Sequence, residues 1–342
     1  MRTCHDRLVA DGVSVSSYNM DAEVSDVTDY VYAAGLDQVF MTSVSQDSPA
    51  VLVAADRFPG TFRGIILDNP IDPADLSLDD PVADLATAFS RLARLCLDDV
   101  VCAPQHPHLL DDAKALFAKL NVSPQRITVT SQRYQGRYYP LYSEQKFEVV
   151  VDGTRLTEGL LRAIVLPGTY SLIPLVIGNA TLDAAASFAI GGELGDYNVD
   201  PAALSYLCSA RADNAGDQFG SAAASPWFAA AADPTLAQRC QVWDVPTLPQ
   251  EFFSPPSGRT PTFIAVGDLN PTPALVWAQD LQRSRSNTTV IDFTRLGAFL
   301  GLSGGQGIPC YHDLLQAFVL DPTTTLDVAG CAAQQPPVAF AG

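Results

Sequence analysis

Ser45 is the residue around which chemistry can be organised. It follows Asp37-Gln-Val-Phe-Met-Thr-Ser43, which has strand character, and precedes Gln46, Asp47 and the alanine-rich run Ser48–Asp56. A second apolar run, Phe62–Leu67, ends in the polar loop Asp68-Asn-Pro-Ile-Asp-Pro73. Strand, sharp serine turn, helix and strand, in that order, lift a hydroxyl above the edge of a parallel sheet, where it can attack an acyl carbon. Such a nucleophile also needs a general base, an acid that orients the base, and N–H donors for the oxyanion. The four histidines are His5, His106, His108 and His312, and none has a motif context that makes it the base.

The elements that must hold Ser45 show as periodic runs. Asp21–Ala34 reads as a helix, with Val24, Val27, Val31 and Ala34 on one face. Gln38–Thr42 and Phe62–Leu67 read as strands, as do Thr262–Val266 and Thr288–Asp292 on either side of a helix over Pro273–Ser284. Strand and helix alternating in this way predict a parallel α/β sheet. Between the two blocks, Asp84–Leu97 and Leu109–Leu120 read as amphipathic helices, and Arg126–Asp152 alternates like a β-hairpin. The Ala/Gly/Ser-rich stretch Ala215–Ala232 takes no assignment. The pattern predicts a core in two parts, residues 1–74 and 258–342, with 75–257 inserted as a mainly helical lid that contains the hairpin.

The chain has 342 residues, 47% of them hydrophobic and 17% charged, which is the composition of a folded globular protein. A net charge of −18 leaves no basic stripe to displace phosphate counterions, so nucleic acid is excluded as a partner. No membrane span is expected: the most apolar stretch, Leu160–Gly178, is interrupted by Arg162, Pro167 and Pro174. The N-terminal residues lack the apolar run of a signal peptide. The seven cysteines form no C-x-x-C pair and the histidines have no zinc-like spacing, so neither a metal nor a cofactor is expected. Local pairing joins Cys96 to Cys102, Cys208 to Cys240 and Cys310 to Cys331, and leaves Cys4 free. Seven buried thiols in a cytosolic protein is the alternative.

Taken in order, several segments resemble the secreted tripeptidyl-aminopeptidase-like branch of the α/β-hydrolases, relatives of the proline iminopeptidases. They are the serine turn with Arg57-Phe-Pro-Gly and Leu67-Asp-Asn-Pro-Ile-Asp-Pro73, and the Cys96…Cys102 helix with Val149-Val-Val-Asp-Gly-Thr-Arg-Leu156. Further along come Cys240-Gln-Val-Trp243, Phe263-Ile-Ala-Val-Gly-Asp-Leu-Asn-Pro271, and Cys310 with Ala317-Phe-Val-Leu-Asp-Pro322 and Cys331. The resemblance covers nearly the whole chain. It implies a partial, mostly parallel α/β-hydrolase sheet with a lid, and a secreted or cell-envelope location. It also implies roles: Ser45 at the nucleophile position, the N–H of Gln46 as an oxyanion donor, Asn270 at the acid position and Gln306 at the base position.

Those last two residues depart from the family. The family acid lies in Gly-Glu-x-Asp-Pro, here Gly267-Asp-Leu-Asn-Pro271, and an amide does not stabilise an imidazolium. The equivalent Asp-to-Asn change costs a serine protease roughly 10⁴-fold in kcat. The family base lies in Gly-x-Gly-His-Gly, here Ser303-Gly-Gly-Gln-Gly307, and Gln306 takes no proton from a hydroxyl. Removing the base alone costs on the order of 10⁶-fold. The elbow glycines of Gly-x-Ser-x-Gly are Ser43 and Asp47, and the family's His-Gly-Gly-Pro-Gly-like oxyanion loop is not found. In the family that loop and four strands lie upstream of the segment matching Cys4. The expectation is therefore a degenerate, non-catalytic relative that binds a peptide or small apolar ligand beneath the lid. One alternative is an active serine peptidase or esterase whose N-terminal half is missing or supplied in trans. A second is an interaction module using the lid or an open edge at Gln38–Thr42, where a partner chain completes the sheet.

Overall fold

The computed structural model describes residues 1–71, 73, 81–130, 146–165, 169–178, 201–211, 236–254, 257–272, 274–297, 308–335 and 337–340. Two compact units are present. The first begins with α1 (Arg2–Ala10), α2 (Met20–Ala33), β1 (Val39–Val44), α3 (Ser48–Arg57) and β2 (Phe62–Asp68). The second holds α4 (Pro81–Leu97), α5 (Cys102–Gln105), α6 (Leu109–Val122), β3 (Gln125–Thr130), β4 (Lys146–Val151), α7 (Gly153–Val165) and α8 (Ile173–Gly178). The first unit then continues with α9 (Pro201–Arg211), α10 (Leu236–Trp243), β5 (Thr262–Gly267), α11 (Ala274–Ser284), β6 (Thr288–Phe293), α12 (Pro309–Leu320) and α13 (Val328–Ala332). Thus α9 and α10, which lie inside the 75–257 segment, cluster with the sheet.

The expected α/β architecture is observed. Four parallel strands run in the order β1-β2-β5-β6, and the expected strands match them to within two residues at each end. All six residues of β5 are buried, as a central strand covered on both faces requires. Its side chains alternate between two cores. Ile264 and Val266 join Met20 and Val24 of α2, Ala50, Val51 and Ala54 of α3, and Leu281 of α11. Phe263 and Ala265 point the other way, against Tyr311, Leu314 and Phe318 of α12 and Cys331 of α13. This period-two division between two helix layers defines a three-layer α/β/α unit.

Among the described residues β1 pairs with β2 alone and is a sheet edge. One face of this edge strand is covered by aromatic packing. Phe40 meets Phe318 edge-on at 5.9 Å between centroids, and Arg63 lies over the Phe40 ring while donating to the Leu320 carbonyl at 2.9 Å. Gly64 makes room for this arrangement, since a Cβ there would strike the Phe40 ring.

In the second unit, α6 buries Ala113, Leu116, Phe117 and Leu120, the i, i+3, i+4, i+7 stripe of an amphipathic helix. β3 and β4 form the antiparallel hairpin, Gln125 opposite Val151 and Thr130 opposite Lys146. The turn joining them lies outside the described residues, as does Ala215–Ala232. The three local disulfides are all formed: Cys96–Cys102, Cys208–Cys240 and Cys310–Cys331. Cys4 is a half-buried free thiol. Disulfides of this kind fit an oxidising compartment. Among the described residues no helix is long and apolar enough to cross a membrane, and no group of three or more His, Cys, Asp or Glu side chains is gathered as for a metal ion.

Candidate functional site

The strand-to-helix turn at Ser45 is backed by conformation as well as by sequence. β1 stays extended through Val44 (φ −128°, ψ 131°), and Ser45 then reverses to φ +51° before one 3-10 turn leads into α3. Side chains other than glycine rarely adopt this left-handed region, and serine at such a turn carries strain of about 1–2 kcal/mol. The strain is held by a buried neighbour. Ser48 is fully buried; its Oγ donates to the Ser45 carbonyl at 2.6 Å and accepts from Ile71 N–H at 2.7 Å. Pro49 opens α3, and the small buried residues Ala50, Ala54 and Ala55 let that helix lie close against the strands.

The residues around Ser45 divide by exposure. Gln46 and Asp47 are exposed as whole residues, although the Asp47 carboxyl is partly enclosed. Asp47 heads α3 without capping it. Ser43 is buried, and its hydroxyl has no hydrogen-bond partner among the described residues.

Asn270 follows the carboxyl end of β5, as Ser45 follows that of β1. Both therefore sit on one edge of the sheet, two strand spacings apart, or about 10 Å. That edge is where ligands of open α/β sheets bind. Asn270 is buried, its N–H turned to the Gly267 carbonyl at 3.1 Å and its Nδ2 donating to Thr272 Oγ1 at 2.6 Å. Its backbone N–H and its Nδ2 are thus committed to a local turn. Gln306 lies outside the described residues. Of the histidines, His5 packs edge-on against Trp243, and His106 is buried in the second unit. His108 is exposed just ahead of α6, and His312 is on the exposed side of α12.

Three features at this edge were not singled out from the sequence. Asn69, just past β2, is fully buried at φ +48°. Its Oδ1 accepts from Gly267 N–H at 3.0 Å and its Nδ2 donates to Asp68 Oδ1 at 2.7 Å, tying the ends of β2 and β5 together. Gly267 itself is required by close approach, because a Cβ there would collide with the carbonyl oxygens of Leu296 and Gly297. The Asp-Asn-Pro sequence after an apolar strand was the available signal, since asparagine tolerates the left-handed region.

The third feature is electrostatic. Glu23 of α2 is pushed up to about 7, first by burial and then by the charge of Asp47. Burial also raises Asp47. The phenol of Tyr206, on α9, is raised far above its ordinary value by burial and then by the charges of Glu23 and Asp47. On the opposite layer, burial and then the nearby Asp68 raise Tyr311.

No family model matches this sequence, and no curated protein matches it. Among solved structures, the chain is similar to a Vigna radiata epoxide hydrolase mutant, at 14% identity over 90% of this chain and 79% of that one, with a TM-score of 0.36. It is similar to a carboxylesterase of the ammonia-oxidizing thaumarchaeon Nitrososphaera gargenis at 9% identity, over 89% and 73% of the two chains, with a TM-score of 0.31. A serine hydrolase from Cycloclasticus zankles gives 10% identity, 88% and 72% coverage and a TM-score of 0.33. Each likeness is distant.

Proposed function

We propose that this chain is an α/β-hydrolase-type protein of the tripeptidyl-aminopeptidase-like branch that has kept its nucleophile elbow and lost its proton-transfer groups. It acts in an oxidising, secreted or cell-envelope setting as a non-catalytic scaffold that binds a peptide or small apolar ligand. The observation that carries the reading is Ser45 at φ +51° between a parallel strand and its following helix. A strained serine at that junction is what lifts a nucleophile clear of a sheet. Against catalysis stand the residue types. Asn270 carries no charge to stabilise a protonated base, and its Nδ2 donates to Thr272 Oγ1. Gln306 has no basic nitrogen.

Labelling with a fluorophosphonate tests this reading. The native chain and Ser45→Ala are expected to stay unlabelled, while the double variant Gln306→His/Asn270→Asp labels at Ser45. Labelling of the native protein that vanishes in Ser45→Ala would overturn the non-catalytic reading.

A second reading is favoured by the free edge of β1 and by the unpaired Cys4. In it, a further polypeptide adds strands beside β1 and supplies the second oxyanion donor to that of Gln46, giving an active serine peptidase or esterase. The same free edge suits a plain interaction module. Stable association of a second chain with the β1 edge, with Ser45-dependent hydrolysis only in the complex, distinguishes the enzyme from the module.

A further inference from the structure

Asn287 stands in the turn that joins Ser284, the last residue of α11, to Thr288, the first of β6. It begins the sequence Asn287-Thr-Thr289. Asn-x-Thr is the pattern at which oligosaccharides are attached to asparagine amides, and it belongs to surface loops of secreted chains. The pattern alone is common, so the surroundings of each copy decide. Asn270-Pro-Thr272 is excluded by its proline. Asn121-Val-Ser123 lies at the end of α6, where the Asn121 side chain sits against Gly153 and accepts its N–H at 3.1 Å. Asn179-Ala-Thr181 lies outside the described residues.

Asn287 is different. It is exposed, as is Ser286 before it. Its backbone is fixed, because its carbonyl accepts Thr262 N–H at 2.8 Å. Its Nδ2 donates to the Arg259 carbonyl at 3.0 Å, a bond on the exposed surface. A primary amide has two Nδ2 hydrogens and this bond uses one. A sugar replaces one hydrogen and leaves the other, so the amide can carry a sugar and still donate to Arg259. The position also suits the fold. β5 and β6 run parallel, Thr262 opposite Thr288, which puts Asn287 at the amino edge of the sheet. Ser45 and Asn270 follow the carboxyl ends of β1 and β5, so a sugar on Asn287 projects from the edge opposite the candidate site.

We propose that Asn287 is the attachment site of an N-linked oligosaccharide. The donor is an oligosaccharide carried on a polyprenyl pyrophosphate. Asn287 Nδ2 attacks the anomeric carbon, and a C–N bond forms as the bond from that carbon to the pyrophosphate oxygen breaks. Polyprenyl pyrophosphate leaves with the bonding pair, one Nδ2 proton passes to a base of the transferring enzyme, and nothing is oxidised or reduced. The inference rests on the reading of an oxidising, secreted setting, which the three disulfides support.

The test directs the full chain into the secretory lumen of a eukaryotic cell. The secreted protein is treated with peptide-N-glycosidase in heavy-oxygen water and then with trypsin. Trypsin releases Ser286–Arg295, which contains Asn287 and no other asparagine. Residue 287 is expected as aspartate carrying heavy oxygen. The sugar at this site should be lost in Asn287→Gln and in Thr289→Ala, and kept in Thr289→Ser, which retains the hydroxyl. Recovery of Ser286–Arg295 with an unmodified amide would overturn the proposal, and this readout needs no variant to fold. A sugar at 287 that survives Thr289→Ala would overturn it too. The same digest without reduction reports the cysteines. Paired cysteines with an unmodified Asn287 defeat this inference and leave the oxidising setting standing, whereas free thiols defeat both.

Discussion

Ser48 Oγ donates to the carbonyl of Ser45 at 2.6 Å, so the residue in the strained turn is held by the first residue of the helix it leads into. The same oxygen accepts the Ile71 N–H from the loop beyond β2, 23 residues away in sequence. One buried hydroxyl therefore joins the turn after one strand to the loop after its neighbour. Ser48→Ala removes both bonds and leaves the Ile71 N–H buried and unpaired, a loss of about 1–3 kcal/mol. Urea denaturation measures the loss. In the Gln306→His/Asn270→Asp background the same substitution should slow labelling at Ser45, and Ser48→Cys should recover little of it, because a thiol is a weak hydrogen-bonding group.

Much of the scaffold was legible, and the reason is local. Strand and helix periods, and cysteines separated by 6, 21 and 32 residues, are short-range signals that survive in one sequence. Asn69 reaching Gly267 across 198 residues is a different kind of fact. So is the burial of the Glu23 carboxyl, which depends on how α2 packs; alone it reads as an ordinary surface acid. Ser45 could be located from its context of strand and helix; its left-handed backbone could not.

The Glu23 carboxyl makes stability depend on pH. Its folded value of about 7 exceeds the ordinary 4.5, so between those values the folded chain keeps a proton that the unfolded chain has released. Stability should therefore fall as pH rises through pH 4.5–7 and level off above that window. The raised Asp47 carboxyl acts in the same direction, beginning from 3.8. Melting temperature followed across this range should lose most of that slope in Glu23→Gln. An unchanged slope would assign the dependence to other groups.

At the opposite edge of the sheet, Asp56 takes the N–H groups of Ser257 and Gly258 at 2.9 and 3.0 Å and pairs with Arg285. The Arg285 side chain is fully buried. Its Nε and Nη2 have no partner among the described residues, so Asp56 is the charge that makes its burial tolerable. Asp56→Ala leaves a buried guanidinium uncompensated and should cost about 3–5 kcal/mol. Asp56→Ala/Arg285→Met should recover a substantial part of that loss, which a double-mutant cycle in urea would read directly.

Strain at Ser45 predicts a substitution that improves stability while removing the nucleophile. A left-handed serine costs about 1–2 kcal/mol, and glycine at the same φ costs almost nothing. Glycine also gives the unfolded chain more freedom, a loss of about 0.5–1 kcal/mol. Relief of strain outweighs that loss, so Ser45→Gly should raise stability by up to about 1 kcal/mol. Ser45→Ala keeps the strained backbone and should shift stability by no more than about 0.5 kcal/mol. Ser45→Val adds a β-branched side chain to a backbone that excludes it and should be the least stable of the three. A urea series over these variants tests the order Gly, Ser, Ala, Val directly. If glycine proves less stable than serine, the turn is not strained, and the structural argument that Ser45 occupies a nucleophile elbow loses its support.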